Sequence, residues 1–525
     1  MATSARVHPR TGRALTLLAL LAIVGASVWI RWPGFVQGGF ASHDVAGILY
    51  NAMVLDRGGL PYVDTFEFKA PGSFYLASAL AGPEARDIAR LQIAANLFGL
   101  ASLIALAALA WWMWGRVASV VAAGVLALHD AVLDSMDANY VTWANLPQIL
   151  AFALAIVAGR IERPRLRPTL WLLAGAAAGG ATLCKQPDGV VLAVIGLMAL
   201  WPTPTQAWSG SWRERARRLG WSRAAWVLAG FVLIHVPIAA QYLGRGELGS
   251  LIDGYVLNRW TLRYLVAREA GMLDSSREGA LALAHFLALP LVFAAFALAA
   301  PSSPEHRRER WFVALWLLAT LFAASLGARF YKGYFVAVAP PLVLLAAAPW
   351  GLLGVRSRAM PWLRALALLA LVPLLARQSL IVAAQRADRG MAHDAGGRML
   401  AEFVAAHTEP DDTIWVWGWH LWDVYPLANR MSASPIYKSL GVLTPPNDDT
   451  WRRPASKQRF VDSEHAARLL ADLERARPAY VLLGSTVPRE QFRGLQALLK
   501  REYRLDRRIK VGRVQLWRRK DLGDR

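Results

Sequence analysis

Long apolar runs separated by short, arginine-bearing connectors fill the first 380 or so residues, and a different rhythm takes over after about residue 382. A helix crosses the hydrocarbon core of a bilayer with about 20 apolar residues, somewhat fewer when neighbours shelter it. By that measure the runs 14–32, 88–113, 117–131, 145–159, 169–184, 188–201, 224–243, 280–300, 311–327, 333–350 and 362–381 predict about eleven transmembrane helices. The first lies behind Arg6, Arg10 and Arg13, as a signal peptide or a retained signal anchor would, and the many spans that follow favour the anchor. Two runs, 117–131 and 188–201, are short, and Pro187, Pro237 and Pro290 fall at or inside apolar runs. Such helices are tolerated when packed inside a bundle.

Beyond residue 382, helical periodicity appears over 391–407 and 463–476, while Ile414 to Trp419, Tyr480 to Leu483 and Val511 to Trp517 have the apolar, β-branched and aromatic content of strands. The 441–459 stretch, with Pro445, Pro446, Asn447, Asp448 and Asp449, predicts an irregular loop. The expected architecture is a polytopic α-helical membrane domain over 1–381, carrying a first outer loop at 33–87 and another at 244–279, followed by a soluble outer α/β domain over 382–525. Loop 244–279 mixes Arg245, Arg259, Arg263 and Arg268 with Tyr255, Trp260 and Tyr264, a set suited to headgroups or a lipid phosphate.

A hydrophobic content of 55% with only 18% charged residues agrees with a bilayer protein. The net charge of +21 does not indicate nucleic-acid binding, since much of it lies in connectors between spans. Its placement gives orientation, because short cytoplasmic loops carry the excess Lys and Arg. Arg116; Arg160, Arg163, Arg165 and Arg167; Arg213, Arg215, Arg217 and Arg218; Arg307, Arg308 and Arg310; and Arg356 with Arg358 all fall on one side. The N-terminus is then cytoplasmic. Loop 132–144, with Asp134 and Asp137 and no base, is outside, and an odd number of spans puts the C-terminal region outside with it. Many of the 23 tryptophans end apolar runs, as in a headgroup belt. The single cysteine, Cys184, excludes an internal disulfide.

Candidate chemistry concentrates in residues 43–75. Ser42 or Asp44 can cap a helix over about 45–55 that Gly58 and Gly59 would end. Ile48, Leu49, Ala52 and Leu55 would give it one apolar face, laying it in the membrane interface. Asp64, Glu67 and Lys69 follow, either as a solvated loop with a local ion pair or as groups that meet substrate. Lys69 opens a Lys-Ala-Pro-Gly turn, while Lys185 and the pair Arg329 and Lys332 lie at outer ends of spans, where ammonium and guanidinium groups can bind phosphate. His43, His129, His235 and His285 have no metal-ligand spacing, and no cofactor or phosphate-loop motif is present, so a cofactor stays unknown and a divalent metal unsupported.

The run Gly58-Gly59-Leu60-Pro61-Tyr62-Val63-Asp64, followed by Phe68-Lys69-Ala70-Pro71-Gly72-Ser73-Phe74-Tyr75-Leu76, resembles the first outer loop of the GT-C superfamily of polyprenyl-phosphate-sugar-dependent glycosyltransferases. Bacterial relatives of protein O-mannosyltransferases and the lipid A aminoarabinose transferases belong there. Lys185-Gln186-Pro187, Arg329 to Phe335 with Pro340-Pro341, and Val416-Trp417-Gly418, Tyr425, Arg430 and Ser434 to Tyr437 are similar to later family segments. The chain departs in having His43 before Asp44 where the family often has a second acid, and Gly333 where a His commonly precedes the Tyr. The resemblance implies an inverting hexosyl or pentosyl transferase of a bacterial plasma membrane. Asp44 would be catalytic, and Lys69, Lys185, Arg329 and Lys332 would bind donor phosphate. His43, Tyr62, Asp64, Glu67, Asp137 and Arg259 are the expected substrate contacts. The implied partners are a polyprenyl-phosphate sugar, an envelope glycan, lipid or protein acceptor, and membrane lipids, with no nucleic acid. A polyprenyl phosphate is a good leaving group, so transfer needs a carboxylate for the acceptor hydroxyl and cations for the phosphate, not the carboxylate pair of a glycosidase. The alternatives are a transporter or flippase for lipid-linked sugars and a non-catalytic polysaccharide-assembly subunit. The sequence lacks the paired halves of a repeat transporter. A reporter active only outside the membrane should work when fused after residue 390; activity from a cytoplasmic reporter alone would reverse the topology.

Overall fold

The computed structural model describes residues 9–36, 39, 42–82, 87–201, 220–266, 272–299, 304–351, 360–387, 395–418, 421–439, 441–445 and 458–522. Each of the eleven apolar runs coincides with a helix: Pro9–Val36, Ile88–Trp114, Arg116–Asp130, Tyr140–Arg160, Leu166–Cys184, Val190–Leu200, Trp221–Gly244, Met272–Ala299, Pro304–Ser325, Ala339–Gly351 and Met360–Ala387. Among the described residues, six helices are long and apolar enough to cross a membrane; Gln186–Leu200, Ala339–Gly351 and Leu369–Ala384 are shorter apolar ones. Arg213, Arg215, Arg217, Arg218, Arg268, Arg356 and Arg358 lie outside the described residues, as does the 446–457 part of the expected irregular loop.

The chain divides into two compact units. Met1–Val36, Ile93–Pro237 and Leu273–Arg389 make the first, and Gln37–Gln92, Ile238–Met272 and Gly390–Arg525 the second. The first is helical. Leu15, Leu18 and Leu21 are exposed on its N-terminal helix, and Trp29, Trp32, Trp112, Trp201 and Trp221 are exposed near helix ends, the positions that lipid tails and headgroups favour. Gly175 and Gly179, four residues apart, let the helix Leu166–Cys184 lie backbone to backbone against 227–231, since a methyl at Gly175 would collide with the Val227 carbonyl. Arg31 is buried and paired with Asp130, and it donates to the Ser135 carbonyl and hydroxyl, both at 2.9 Å. A buried guanidinium needs such partners.

In the second unit, β1 (Ile414–Trp417), β2 (Tyr480–Leu483), β3 (Tyr503–Leu505) and β4 (Gln515–Arg519) form a sheet of order β1-β2-β4-β3. β1 and β2 are parallel, Ile414 opposite Tyr480, and the other pairs are antiparallel. The parallel pair needs a crossover, which includes the helix Glu464–Ala476. Trp415, Trp417, Val481 and Leu483 pack with Leu469, Leu473, Leu495 and Leu499, so these tryptophans are core residues. β3 and the helix Arg493–Glu502 were not expected. The helix is short and strongly charged, and β3 has one buried residue of three, so neither shows a long apolar period. The last strand begins at Gln515, not Val511, because a turn occupies 511–513.

The candidate helix runs His43–Asp56, and the cap is Ser42, whose hydroxyl accepts the Asp44 N–H at 3.2 Å. Asp44 is therefore a first-turn residue, not the cap. The helix does not lie with one face in an interface: Val45 to Val54 are all buried. It ends in a Schellman motif, with Gly58 N–H on the Leu55 carbonyl at 2.9 Å, Gly59 N–H on Val54 at 2.8 Å, and Gly58 at φ 82°. Gly58→Ala puts a Cβ on that left-handed backbone and should cost about 1 kcal/mol. Gly196→Ala, in open space on a helix, should not lower stability. Thermal melts of both variants in detergent check the difference.

Candidate functional site

The Asp44 helix supplies a polar face by ordinary helical spacing, Asp44, Gly47 and Asn51 standing three and four residues apart. Asp44 is exposed while the residues after it are buried. Asn51 is fully buried; its amide donates to the Gly47 carbonyl at 2.9 Å, to Glu67 Oε2 at 3.1 Å and to the Tyr437 hydroxyl at 3.0 Å, and its Oδ1 accepts Thr65 Oγ1 at 2.7 Å.

Glu67, 5% exposed, is the centre of this network. Its Oε1 accepts the backbone N–H groups of Phe68 at 2.9 Å and Lys69 at 3.1 Å, and Oε2 accepts Tyr437 at 2.6 Å. Lys438 Nζ donates to both oxygens, at 2.6 and 2.5 Å. The expected solvated loop with a local ion pair is thus overturned, because the partner of Glu67 lies 371 residues away and both are buried. Burial pushes the Glu67 carboxyl up, but the Lys438 ammonium and the bonds from Lys438, Tyr437 and Phe68 outweigh it and hold the group below the usual carboxylate range. Burial draws Lys438 down, Glu67 opposes that, and of the weaker influences Lys69 disfavours and Asp44 favours its charge.

The other first-loop candidates are held nearby. Tyr62, at φ 66°, donates to the Lys69 carbonyl at 2.5 Å, and burial raises its phenol. Asp64 is exposed and closes a turn, accepting the Leu60 N–H at 2.7 Å. Lys69 Nζ lies 6.0 Å from the Phe68 ring. His43 packs edge-on against Trp422, whose indole donates to the His43 carbonyl at 2.7 Å. Arg259 is exposed between Asn258, which donates to the Phe68 carbonyl at 2.8 Å, and Trp260, which meets Phe66 edge-on at 5.0 Å.

Lys185, Arg329, Lys332 and Asp137 belong to the first unit. Lys185 pairs with buried Asp188 at 3.2 Å and stands over the Tyr334 ring at 5.4 Å. Lys332 pairs with Asp134 at 2.6 Å, so the segment around Lys332–Val336 joins these two cations to two carboxylates. Arg329 sits between Ala328 and Phe330, both in left-handed backbone. Asp137 is 2% exposed and accepts the Ala138 N–H at 3.0 Å. Among the described residues no three His, Cys, Asp or Glu side chains gather as metal ligands.

Sequence reasoning missed Asn51 and Lys438. The available signal was Glu67 between two phenylalanines, since a carboxylate in an apolar stretch needs a buried cation. Nothing in the spacing identifies which lysine.

No family model matches the sequence, and no curated protein is similar to it at a significant level. Solved structures are similar in fold. ArnT from Cupriavidus metallidurans bound to undecaprenyl phosphate matches with TM-score 0.58 at 15% identity, over 97% of this chain and 98% of that one. Its apo form gives 0.56 at 14% identity, over 95% and 97%. The archaeal oligosaccharyltransferase AglB from Archaeoglobus fulgidus, in complex with an inhibitory peptide and a dolichol-phosphate, gives 0.55 at 14% identity, over 90% of this chain and 69% of that one. The chain has the fold of these proteins, as the motif resemblance implies.

A carboxylate whose folded value is depressed contributes stability that is complete above the range where an unfolded glutamate titrates and is lost as pH falls through the lower folded value. Melting of the wild-type protein in detergent should therefore fall steeply below about pH 4. Glu67→Gln should melt lower at pH 7 and depend less on acid; parallel acid limbs would deny Glu67 that part.

Proposed function

We propose that the protein is a glycosyltransferase that moves one sugar from a polyprenyl-phosphate carrier to an envelope acceptor at the outer face of a bacterial plasma membrane. The observation that carries the reading is Asp44, an exposed carboxylate on the first turn of a helix that is otherwise buried and bonded on its polar face. The fold similarity to a protein bound to undecaprenyl phosphate, over nearly the full length of both chains, supports the class of donor.

In the proposed reaction the acceptor hydroxyl attacks the anomeric carbon of the sugar in a single inverting displacement. The C–O bond to the phosphate breaks, the polyprenyl phosphate leaves with the electron pair, and the hydroxyl proton passes to Asp44. Lys69 supplies a cation to the departing phosphate; Lys185, Arg329 and Lys332 are proposed as anion-binding groups of the first unit. The pairs Lys185 with Asp188 and Lys332 with Asp134 keep those ammonium groups compensated until an anion competes for them. His43, Tyr62, Asp64 and Arg259 are proposed to line the substrate path in the second unit, Tyr62 by fixing the backbone at Lys69, and Asp137 is proposed as a substrate contact of the first unit.

General-base assistance is worth about 100- to 10,000-fold. Asp44→Asn preserves size and leaves the Ser42 cap in place, so it should fold, bind undecaprenyl phosphate as the wild type does and transfer sugar slower by that factor. Near wild-type transfer by the purified variant would make Asp44 a helix-terminus residue only. Lys69→Ala should weaken binding of undecaprenyl phosphate more than Lys69→Arg, measured by titration in detergent; equal affinities would remove Lys69 from the phosphate.

A further inference from the structure

We propose that Glu67 and Lys438 form a clamp that positions Asp44 relative to Lys69, so that Lys438 is a positioning residue of the transfer site supplied by the C-terminal part of the chain. The proposal rests on the roles of Asp44 and Lys69 given above.

One carboxylate joins three separate stretches of the second unit. Oε2 is bonded to Asn51, on the helix that begins at His43 and carries Asp44. Oε1 is bonded to the N–H groups of Phe68 and Lys69, which fixes the direction in which the Lys69 side chain leaves the loop. Both oxygens are bonded to Lys438, and Oε2 also to Tyr437, beyond β1 in the C-terminal stretch. Gly47 eases the approach: a Cβ there would crowd the Tyr437 hydroxyl at 3.2 Å, with Lys438 Nζ in ordinary contact at 4.0 Å. A helix rises about 1.5 Å per residue, so Gly47 lies roughly 4.5 Å along the axis from Asp44 and Asn51 roughly 10.5 Å. The Asn51 amide reaches back to the Gly47 carbonyl, so the carboxylate and the ammonium both meet the helix about one turn from Asp44.

The same C-terminal stretch holds the helix along its length. Trp422 bonds the His43 carbonyl, the Tyr50 ring lies tilted against Tyr425 and Tyr437 with centroids 4.9 and 4.3 Å apart, and the Ser432 N–H donates to the Tyr50 hydroxyl at 3.0 Å. The Pro435 carbonyl accepts the Phe66 N–H at 2.7 Å, next to Glu67. The loop with Lys69 and the helix with Asp44 are thus both fastened to 421–438, and the ion pair is the fastening common to them. Misplacing a reacting group by about 1 Å can cost about 100-fold in rate.

Removing one charge of a buried pair leaves the other uncompensated and destabilises the fold, whereas neutralising both often does not. The decisive variant is the double replacement Glu67→Gln with Lys438→Met. Three quantities are measured on the purified protein: its melting midpoint, its affinity for undecaprenyl phosphate, and kcat for undecaprenyl-phosphate-linked hexoses and pentoses with envelope extract as acceptor. The expected result is a midpoint above that of either single variant, undecaprenyl phosphate affinity within about twofold of wild type, and kcat lower by about 10- to 100-fold. Lys438→Arg, which keeps the charge, should recover most of the rate. Wild-type kcat in the double variant overturns the proposal, as does a rate loss that only follows lost lipid affinity, or a double variant that does not fold. A wild-type protein that uses no lipid-linked sugar overturns the functional reading itself, and the clamp's catalytic role with it.

Discussion

A carboxylate removed from water must be met by enough donors to replace its hydration, and in this protein Glu67 sets that demand. Asn51, Phe68, Lys69, Tyr437 and Lys438 meet it, and they come from three stretches of chain. Charge-assisted bonds of this kind are short and directional, so the group that receives them also fixes the segments that give them. Much else in the second unit follows from that geometry. A side chain at Gly47 would crowd the Tyr437 hydroxyl, and Tyr50 lies against two tyrosines because the stretch bearing Lys438 runs beside its helix.

This arrangement explains how an exposed acid can sit on rigid support. The helix from His43 is buried on all sides from Val45 to Val54, capped by Ser42 and closed by the Gly58 turn, so Asp44 projects from an element with little freedom of its own. In the proposed reaction such rigidity converts directly into rate, because an acceptor hydroxyl must meet both the carboxylate and the anomeric carbon in one geometry. Lys69 is held at its backbone by Glu67 and Tyr62, while its side chain extends from that fixed origin.

The cations of the first unit are arranged differently. Lys185 and Lys332 each have a carboxylate at hand, and Lys185 also has the face of Tyr334. Such pairing lowers the cost of holding ammonium groups at the ends of apolar helices. The helices themselves are held by close backbone approach at Gly175 and Gly179 and by the buried Arg31 network, interactions that stay strong where water is scarce.

Hydrophobic periodicity by itself determined the helical character of all eleven apolar runs, two of the three strands it marked to within two residues, and the helix after Ser42, since each depends on neighbours within a few positions. Asp44 and Lys69 came forward as candidates from their place in the first loop and from the motif resemblance, not from periodicity. The sequence could not show that Ser42 is the cap and not Asp44, because both residues cap equally well on paper and only the backbone angles choose. It misread the helix as interfacial: an apolar face is visible in sequence, but the C-terminal stretch that covers the other faces is not. Tyr503–Leu505 escaped because its pairing with β4, not its own pattern, makes it a strand, and Arg493–Glu502 because its one apolar face, Leu495, Leu498 and Leu499, spans little more than a turn. Above all, the union of Glu67 with Lys438 was decided by the tertiary structure. Local pattern predicts that a buried carboxylate needs a cation, whereas the choice among 58 Lys and Arg residues is made by which one the folded chain brings within hydrogen-bonding distance.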